Sequence, residues 1–236
     1  MTGRLENRIA LVTGASRGIG AAVAKRFARE GAHVVLVART QGGLEQVDDE
    51  IRTAGGTATL VPLDLQDFES IDRLAAVLAE RHGKLDILVG NAAILGALSP
   101  MSHYEPKTWA QVIDINLNAN WRLIRDFDAL LRVSDAGRAV FVTSGVARDV
   151  RAYWGPYAAS KAGLENMVQG WAAELAKTTV RANLIDPGRV RTGMRRQAYP
   201  GEDANLHPLP DAITDPFVDL VEPSCLRNGE LVVVGG

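Results

Sequence analysis

Cysteine is almost absent from this chain: Cys225 stands alone, which excludes an internal disulfide framework and suits a reducing compartment. The four histidines, His33, His82, His103 and His207, are scattered, and none pairs with another at helical or hairpin spacing, so no metal site is expected. There is no surplus of basic charge either. The formal net charge is -2 and the lysines and arginines are dispersed, which lacks the electrostatic footprint of a nucleic-acid-binding protein. No apolar run is long enough to span a bilayer. The opening Met1 to Arg8 has no apolar core of the kind a signal peptide carries, so a cytoplasmic location is the expectation. No internal repeat, low-complexity tract or domain linker interrupts the chain.

What is present is material for a large core. With 236 residues and 47% hydrophobic content, residues 1-236 are expected to form one domain. Short β-branched runs alternate with longer helical patterns. Strands are expected at Ile9 to Val12, Val34 to Val37, Thr57 to Val61, Ile87 to Val89, Ala139 to Val142, Val180 to Ile185 and Glu230 to Val234. Helices are expected at Ala21 to Glu30, Leu44 to Thr53, Phe68 to His82, Trp109 to Leu131, from about Tyr157 to Lys177, and over Asp211 to Val221 with a bend near Pro216. This alternation predicts an α/β fold: a doubly wound parallel sheet of about seven strands with helices on both faces. From 187 to about 212 the periodicity fades into Pro, Gly and charge, as expected of a substrate loop or lid.

Ligands bind such sheets at the carboxyl ends of the strands, and the chemistry-bearing residues collect there. Gly14, Ser16, Arg17, Gly18, Ile19 and Gly20 lie between the first strand and the first helix, a context in which backbone N–H groups approach a dinucleotide pyrophosphate. The second strand ends at Ala38-Arg39 with no acid, and Arg17 lies in the glycine loop. Two cations without a carboxylate suit a ribose 2′-phosphate, which favours NADP over NAD. Tyr157 and Lys161 are four apart on an expected helix and so share one face. A phenol titrates near 10, and one cation at about 4.5 Å with an effective dielectric near 20 contributes roughly 3.7 kcal/mol toward ionising it. The lysine is therefore expected to do most of that work, with an oxidised nicotinamide as the second positive charge. Ser144 follows the strand ending at Val142 and points toward the same cleft, and Asn116 lies on the helix before that strand.

With these residues in order, the chain resembles the short-chain dehydrogenase/reductase family over nearly all its length. The resemblance implies a single-domain Rossmann fold. It also implies that Asn116, Ser144, Tyr157 and Lys161 form a catalytic tetrad, and that Asp64 with Leu65 lies near the adenine and Asn91-Ala92 near the adenosine ribose. Pro187-Gly188 and Thr192 would bind the carboxamide. Tyr157 would exchange a proton with the substrate oxygen, Lys161 would lower the phenol pKa and bond the nicotinamide ribose, Ser144 would bond the reacting carbonyl, and Asn116 would hold a water leading from Lys161 to solvent. One departure is local: the family's Asn-Asn-Ala-Gly run reads Gly90-Asn91-Ala92-Ala93 here. The stretch Thr192 to Asp203 resembles a poorly characterised bacterial subgroup, which names no substrate.

The expected substrate is a small carbonyl compound or secondary alcohol: a ketone, an aldehyde or a 3-oxoacyl compound. Arg148, Arg151, Arg189, Arg191, Arg195 and Arg196 flank the expected cleft with Tyr153 and Trp154 between them. They fit either an anionic substrate or solvent and cofactor contacts. Other uses of the same framework are a non-catalytic dinucleotide-binding regulator or scaffold, and an epimerase or dehydratase. The resemblance implies a homo-oligomer, a tetramer or else a dimer, with Leu164, Met167, Val168 and Trp171 fitting either the subunit contact or burial against the sheet.

Overall fold

The computed structural model describes residues 3–235. The β-branched runs become β1 Ile9–Thr13, β2 His33–Ala38, β3 Thr57–Pro62, β4 Ile87–Gly90, β5 Arg138–Val142, β6 Arg181–Asp186 and β7 Leu231–Val233. They form one sheet in the order β3-β2-β1-β4-β5-β6-β7, and every neighbouring pair is parallel. The helices are α1 Gly18–Arg29, α2 Gln41–Thr53, α3 Phe68–His82, α4 Pro106–Ile113, α5 Ala119–Val133, α6 Gly155–Glu174, α7 Gly193–Ala198 and α8 Asp215–Val221.

Side chains alternate across each strand, so the sheet divides its apolar residues between two cores. Val12, Leu36, Val89, Val140 and Ile185 pack on one face with α1, α2 and α8. Leu11, Val35, Leu88, Phe141 and Leu184 pack on the other with α3, α5 and α6. Both faces being covered explains why the strands read as continuous apolar runs. Strand order reverses between β1 and β4, which opens a crevice at their carboxyl ends. Among the described residues no helix is long and apolar enough to cross a membrane.

Three elements differ from the sequence expectation. The single helix expected from Trp109 to Leu131 is two helices joined by a π-helical turn, Asp114–Asn118. The turn is made by amide side chains: Asn120 Nδ2 donates to the Asn116 carbonyl at 2.8 Å, Asn118 Nδ2 donates to Asp114 at 2.8 Å, and the Ala119 N–H reaches back five residues to Asp114. Pro216 does not bend a helix. A 3-10 turn at Pro210–Ile213 precedes α8, and Pro216 lies in the first turn of α8, where its missing N–H costs nothing. The segment 187–212 is also less irregular than expected, since it contains α7 and 3-10 turns at Ala204–Leu206 and Pro210–Ile213.

The opposite, amino-end edge of the sheet is held by Asp86, which is fully buried. It accepts from the Ile9 N–H at 2.9 Å, Ser134 Oγ at 2.6 Å, Lys84 Nζ at 3.0 Å and Arg8 at 3.1 Å. Burial opposes its ionisation, but the bonds from Ser134, Ile9 and Lys84 outweigh burial and hold it below the usual carboxylate value. Replacing it by Ala leaves the Ile9 N–H and Ser134 Oγ without their partner and Arg8 with Asp135 alone, and is expected to cost about 3 kcal/mol in chemical denaturation at pH 7. Because the folded pKa lies below the unfolded one, this contribution is complete above the ordinary carboxylate range. It disappears as pH falls through the folded value, so the gap between wild type and Asp86→Ala narrows in acid. An unchanged gap would remove Asp86 from the acid dependence.

Candidate active site

The crevice begins where β1 gives way to the glycine loop. Gly14 and Gly18 have φ of +67° and +58°, a backbone region that side chains disfavour. A Cβ on Gly14 would lie 2.8 Å from Asn91 Nδ2, and one on Gly20 2.3 Å from the Gly14 carbonyl oxygen, so the loop closes tightly on the end of β4. Thr13 fixes that closure: its Oγ accepts from the N–H groups of Asn91 and Ala92 at 3.0 and 3.1 Å, and Asn91 Nδ2 donates to its carbonyl at 2.8 Å. At the start of α1 no side chain caps the helix, leaving its first N–H groups open to an anion. Ser16 and Ile19 are half-buried and Arg17 is exposed. Across the loop, Thr192 caps α7 by accepting from the Arg195 N–H at 3.1 Å, and its methyl lies 3.8 Å from where a Cβ on Gly18 would stand.

At the end of β2, Arg39 is half-exposed and 3.8 Å from Asp64. Leu65, by contrast, turns its side chain into the core. The Pro187-Gly188 turn is pinned by the Gly188 N–H, which donates to Asp186 at 3.1 Å. The departure at Gly90 has a physical reason. A Cβ there would lie 2.3 Å from Phe141 Cδ1 and 2.5 Å from Asn120 Oδ1, so a ring from β5 and an amide from α5 occupy the space beside the glycine.

Ser144, just past β5, and Tyr157 and Lys161, one turn apart on α6, meet beside this crevice. Tyr157 is 7% exposed and Lys161 2%. Lys161 Nζ donates to the Val142 carbonyl at 2.7 Å and stands 5.9 Å from the centre of the tyrosine ring. Without the positive charge of an oxidised nicotinamide beside it, the phenol is governed by burial. Burial pushes Tyr157 up to about 12, the Ser144 hydroxyl pulls the other way, and the negative charge of Asp186 adds to the rise. Burial also brings Lys161 down to about 8, against Asp186 and Glu165. Removing a phenolate from water costs more than this lysine returns, because the ammonium is bonded to a carbonyl and two acids share its field.

Asn116 has its side chain committed within the protein. It is fully buried; its Oδ1 accepts from the Ile94 N–H at 2.9 Å, and its Nδ2 donates to the Ile94 carbonyl at 3.0 Å and to Ser160 Oγ at 3.1 Å. Its side chain therefore clamps the loop after β4 to α6 instead of presenting a polar group to a water.

The fold pairs several of the flanking arginines with acids that motif reading missed. Arg148 bridges Glu165 and Asp186, and Thr143 Oγ donates to the same Glu165 at 2.7 Å. Arg195 makes two bonds to Glu202, at 2.6 and 2.5 Å, and Arg151 lies 3.5 Å from Asp149. Glu165 follows Lys161 by one helical turn and Asp186 immediately precedes Pro187-Gly188, and these offsets were the available signals. Of the two uses left open for these residues, Leu164, Val168 and Trp171 take burial against the sheet, and Met167 is half-buried against the same core. The exposed positions of α6 are Ala159, Ala162, Asn166, Gln169, Gly170, Ala173 and Glu174.

Residues 8–203 match the family described as short chain dehydrogenase. The chain belongs to the short-chain dehydrogenase family. Among the relatives of this short-chain dehydrogenase is the Escherichia coli oxidoreductase YciK, itself uncharacterised, which is 42% identical over 202 residues, 84% of this chain and 80% of YciK. A short chain dehydrogenase from Salmonella enterica serovar Typhi has a similar structure, with 37% identity, a TM-score of 0.96 and coverage of 100% of this chain and 99% of that one. A chain from Escherichia coli CFT073, solved in complex with NADPH, has 38% identity, a TM-score of 0.94 and full coverage of both chains.

Proposed function

We propose that this short-chain dehydrogenase is an NADP-dependent oxidoreductase that interconverts a carbonyl compound and a secondary alcohol. The observation that carries the reading is the convergence of Ser144, Tyr157 and Lys161 beside a glycine loop whose backbone closes on β4. The cradle fits a dinucleotide: Gly14, Ser16, Gly18, Ile19 and Gly20 would hold the pyrophosphate, Asn91 and Ala92 the ribose, Asp64 and the Leu65 backbone the adenine edge, and Pro187, Gly188 and Thr192 the carboxamide. Arg17 and Arg39 would take the 2′-phosphate, in line with the NADPH held by the Escherichia coli CFT073 relative. When bound, the nicotinamide exchanges hydride with the substrate carbon.

The remaining work belongs to side chains of this chain. Tyr157 gives its proton to the substrate oxygen in reduction and takes it back in oxidation. Reduction is the cellular direction in this reading, with the protonated phenol as its donor. Ser144 donates to the same oxygen, Lys161 bonds the nicotinamide ribose and keeps a positive charge near the phenol, and Asn116 acts by fixing the loop after β4. Residues 187–212 serve as the substrate loop. The enzyme works as a homo-oligomer, a tetramer or else a dimer, in a cytoplasmic setting; light scattering gives the subunit number.

The direct test is oxidation of NADPH, and separately of NADH, with a panel of aldehydes, ketones, quinones and acyl thioesters. Turnover with NADPH is expected, and binding of NADPH without turnover of any member would overturn the reading. The pH profile gives a finer check. Arg148→Gln leaves Asp186 and Glu165 without their shared cation, so the phenol holds its proton to higher pH. On the rising limb of the pH profile in alcohol oxidation, kcat/KM is expected to fall about tenfold at a given pH, and Arg148→Lys is expected to restore it. An unmoved limb would restrict Arg148 to a structural role.

A further inference from the structure

We infer that the substrate is a neutral carbonyl compound with a flat, apolar body, held over Tyr157 by the aromatic and thioether wall that α7 and the preceding turn of α6 supply. This deepens the reading of Ser144, Tyr157 and Lys161 given above and rests on it. The groups packed around the phenol are apolar: Leu95, Val146, Trp154, Met194 and Ala198. Trp154 meets the Tyr157 ring edge-on with centroids 5.8 Å apart, and meets Tyr199 at 6.1 Å with the planes tilted by 37°. Flat π-surfaces thus border the reacting hydroxyl, and they favour offset or edge contact with another ring over contact with a charged group.

The wall is held in place rather than loosely collapsed. Gln197 Nε2 donates to the Gly96 carbonyl at 3.2 Å, tying α7 to the loop after β4. Arg195 is bonded twice to Glu202 and its guanidinium lies 3.9 Å from the centre of the Tyr199 ring. That cation–π contact sets the orientation in which Tyr199 faces Trp154.

Charge argues in the same direction. An anionic substrate needs an uncommitted guanidinium, because a carboxylate moved into an apolar chamber without a partner is strongly disfavoured. Two of the arginines nearest the wall are committed, Arg148 to Glu165 and Asp186 and Arg195 to Glu202, while Arg151 makes only long, exposed contacts, at 3.5 Å, with Asp149 and the Tyr199 hydroxyl. Their acid partners would repel an incoming anion. Arg189, Arg191 and Arg196 are exposed and have no ion pair among the described residues; Arg196 lies on α7, while Arg189 and Arg191 flank the turn leading to Thr192. Thr192 faces Gly18, so Arg189 and Arg191 border the cofactor crevice.

The experiment is a matched series with NADPH and the full chain: an aryl ketone, its para-carboxylate, and an aliphatic ketone of equal size. The aryl ketone is expected to exceed its carboxylate by at least about tenfold in kcat/KM, and the aliphatic ketone by about threefold or more. Tyr199→Leu, which keeps an apolar side chain and lies outside the tetrad, is expected to erase the aryl advantage over the aliphatic ketone while NADPH affinity stays within about twofold. Equal or better use of the carboxylate, or an aryl advantage that survives in Tyr199→Leu, overturns the substrate assignment and leaves the oxidoreductase reading standing. Absence of turnover with all three and with the wider carbonyl panel overturns that reading, and this one with it.

Discussion

Tyr157→Phe is expected to lower turnover by about 10²- to 10⁴-fold, the usual contribution of a positioned proton donor, with NADPH affinity nearly unchanged. The substitution deletes a hydroxyl and leaves the ring. The ring is what Trp154 meets edge-on and what Leu95 and Val146 pack against, so the apolar wall has no reason to rearrange. Lys161 keeps its bond to the Val142 carbonyl, because that bond does not pass through the phenol. Removing a buried hydroxyl that titrates near 12 leaves no charge stranded. The informative comparison is therefore single-turnover rate against NADPH fluorescence titration in the same variant. A kcat within about twofold of wild type would take Tyr157 out of the chemistry, and a parallel loss of NADPH binding would mean that the variant had disturbed the site.

Arg39→Asp is expected to shift the preference for NADPH over NADH by about 100-fold. The guanidinium stands at the end of β2 and its nearest acid, Asp64, is 3.8 Å away with both side chains half-exposed. An exposed pair at that separation contributes little to stability, so the group is available to a phosphate at low cost. A charge-assisted bond to the 2′-phosphate is worth about 1.5–3 kcal/mol, and an acid at the same position adds repulsion while offering two acceptors to a 2′-hydroxyl. The KM for NADPH should carry most of the change, and folding should not, as the side chain lies outside both cores. A wild-type enzyme that uses NADH as well as NADPH would overturn the assignment before any variant was made.

Much of the fold can be read in the chain itself because its signals are local. β-branched runs such as Val34 to Val37, the glycine loop at residues 14–20 and the spacing of Tyr157 and Lys161 each need no knowledge of distant residues. What could not be read depends on partners brought together by folding. The π-turn at Asn116 exists because Ile94, from the loop after β4, takes up its amide and Asn120 takes its carbonyl; hydrophobic periodicity carries no trace of that. The burial of Tyr157 could not be read either, because a four-residue spacing reports proximity along a helix and says nothing of how deeply the phenol lies. The two uses of the arginines around the cleft stayed open for the same reason, since Asp186 meets Arg148 only across the fold and Glu202 meets Arg195 only through the loop that follows α7. Apolar residues of α6 showed a further ambiguity: Leu164 and Trp171 satisfy the sheet and a second subunit equally well on paper, and only the packing against Phe141 decides.

Gly90 bears on how this chain can be recombined with its kin. Its missing side chain and the groups that fill the gap, Phe141 and the Asn120 amide, come from three separate stretches of sequence yet form one inseparable unit. An asparagine introduced at position 90 alone would collide with both neighbours, whereas the same exchange made together with its neighbours would have room. Chimeras with a relative that carries asparagine at that position should therefore survive only when residues 90, 120 and 141 are inherited from one parent, so viable crossovers between β4 and the end of β5 are expected to be rare.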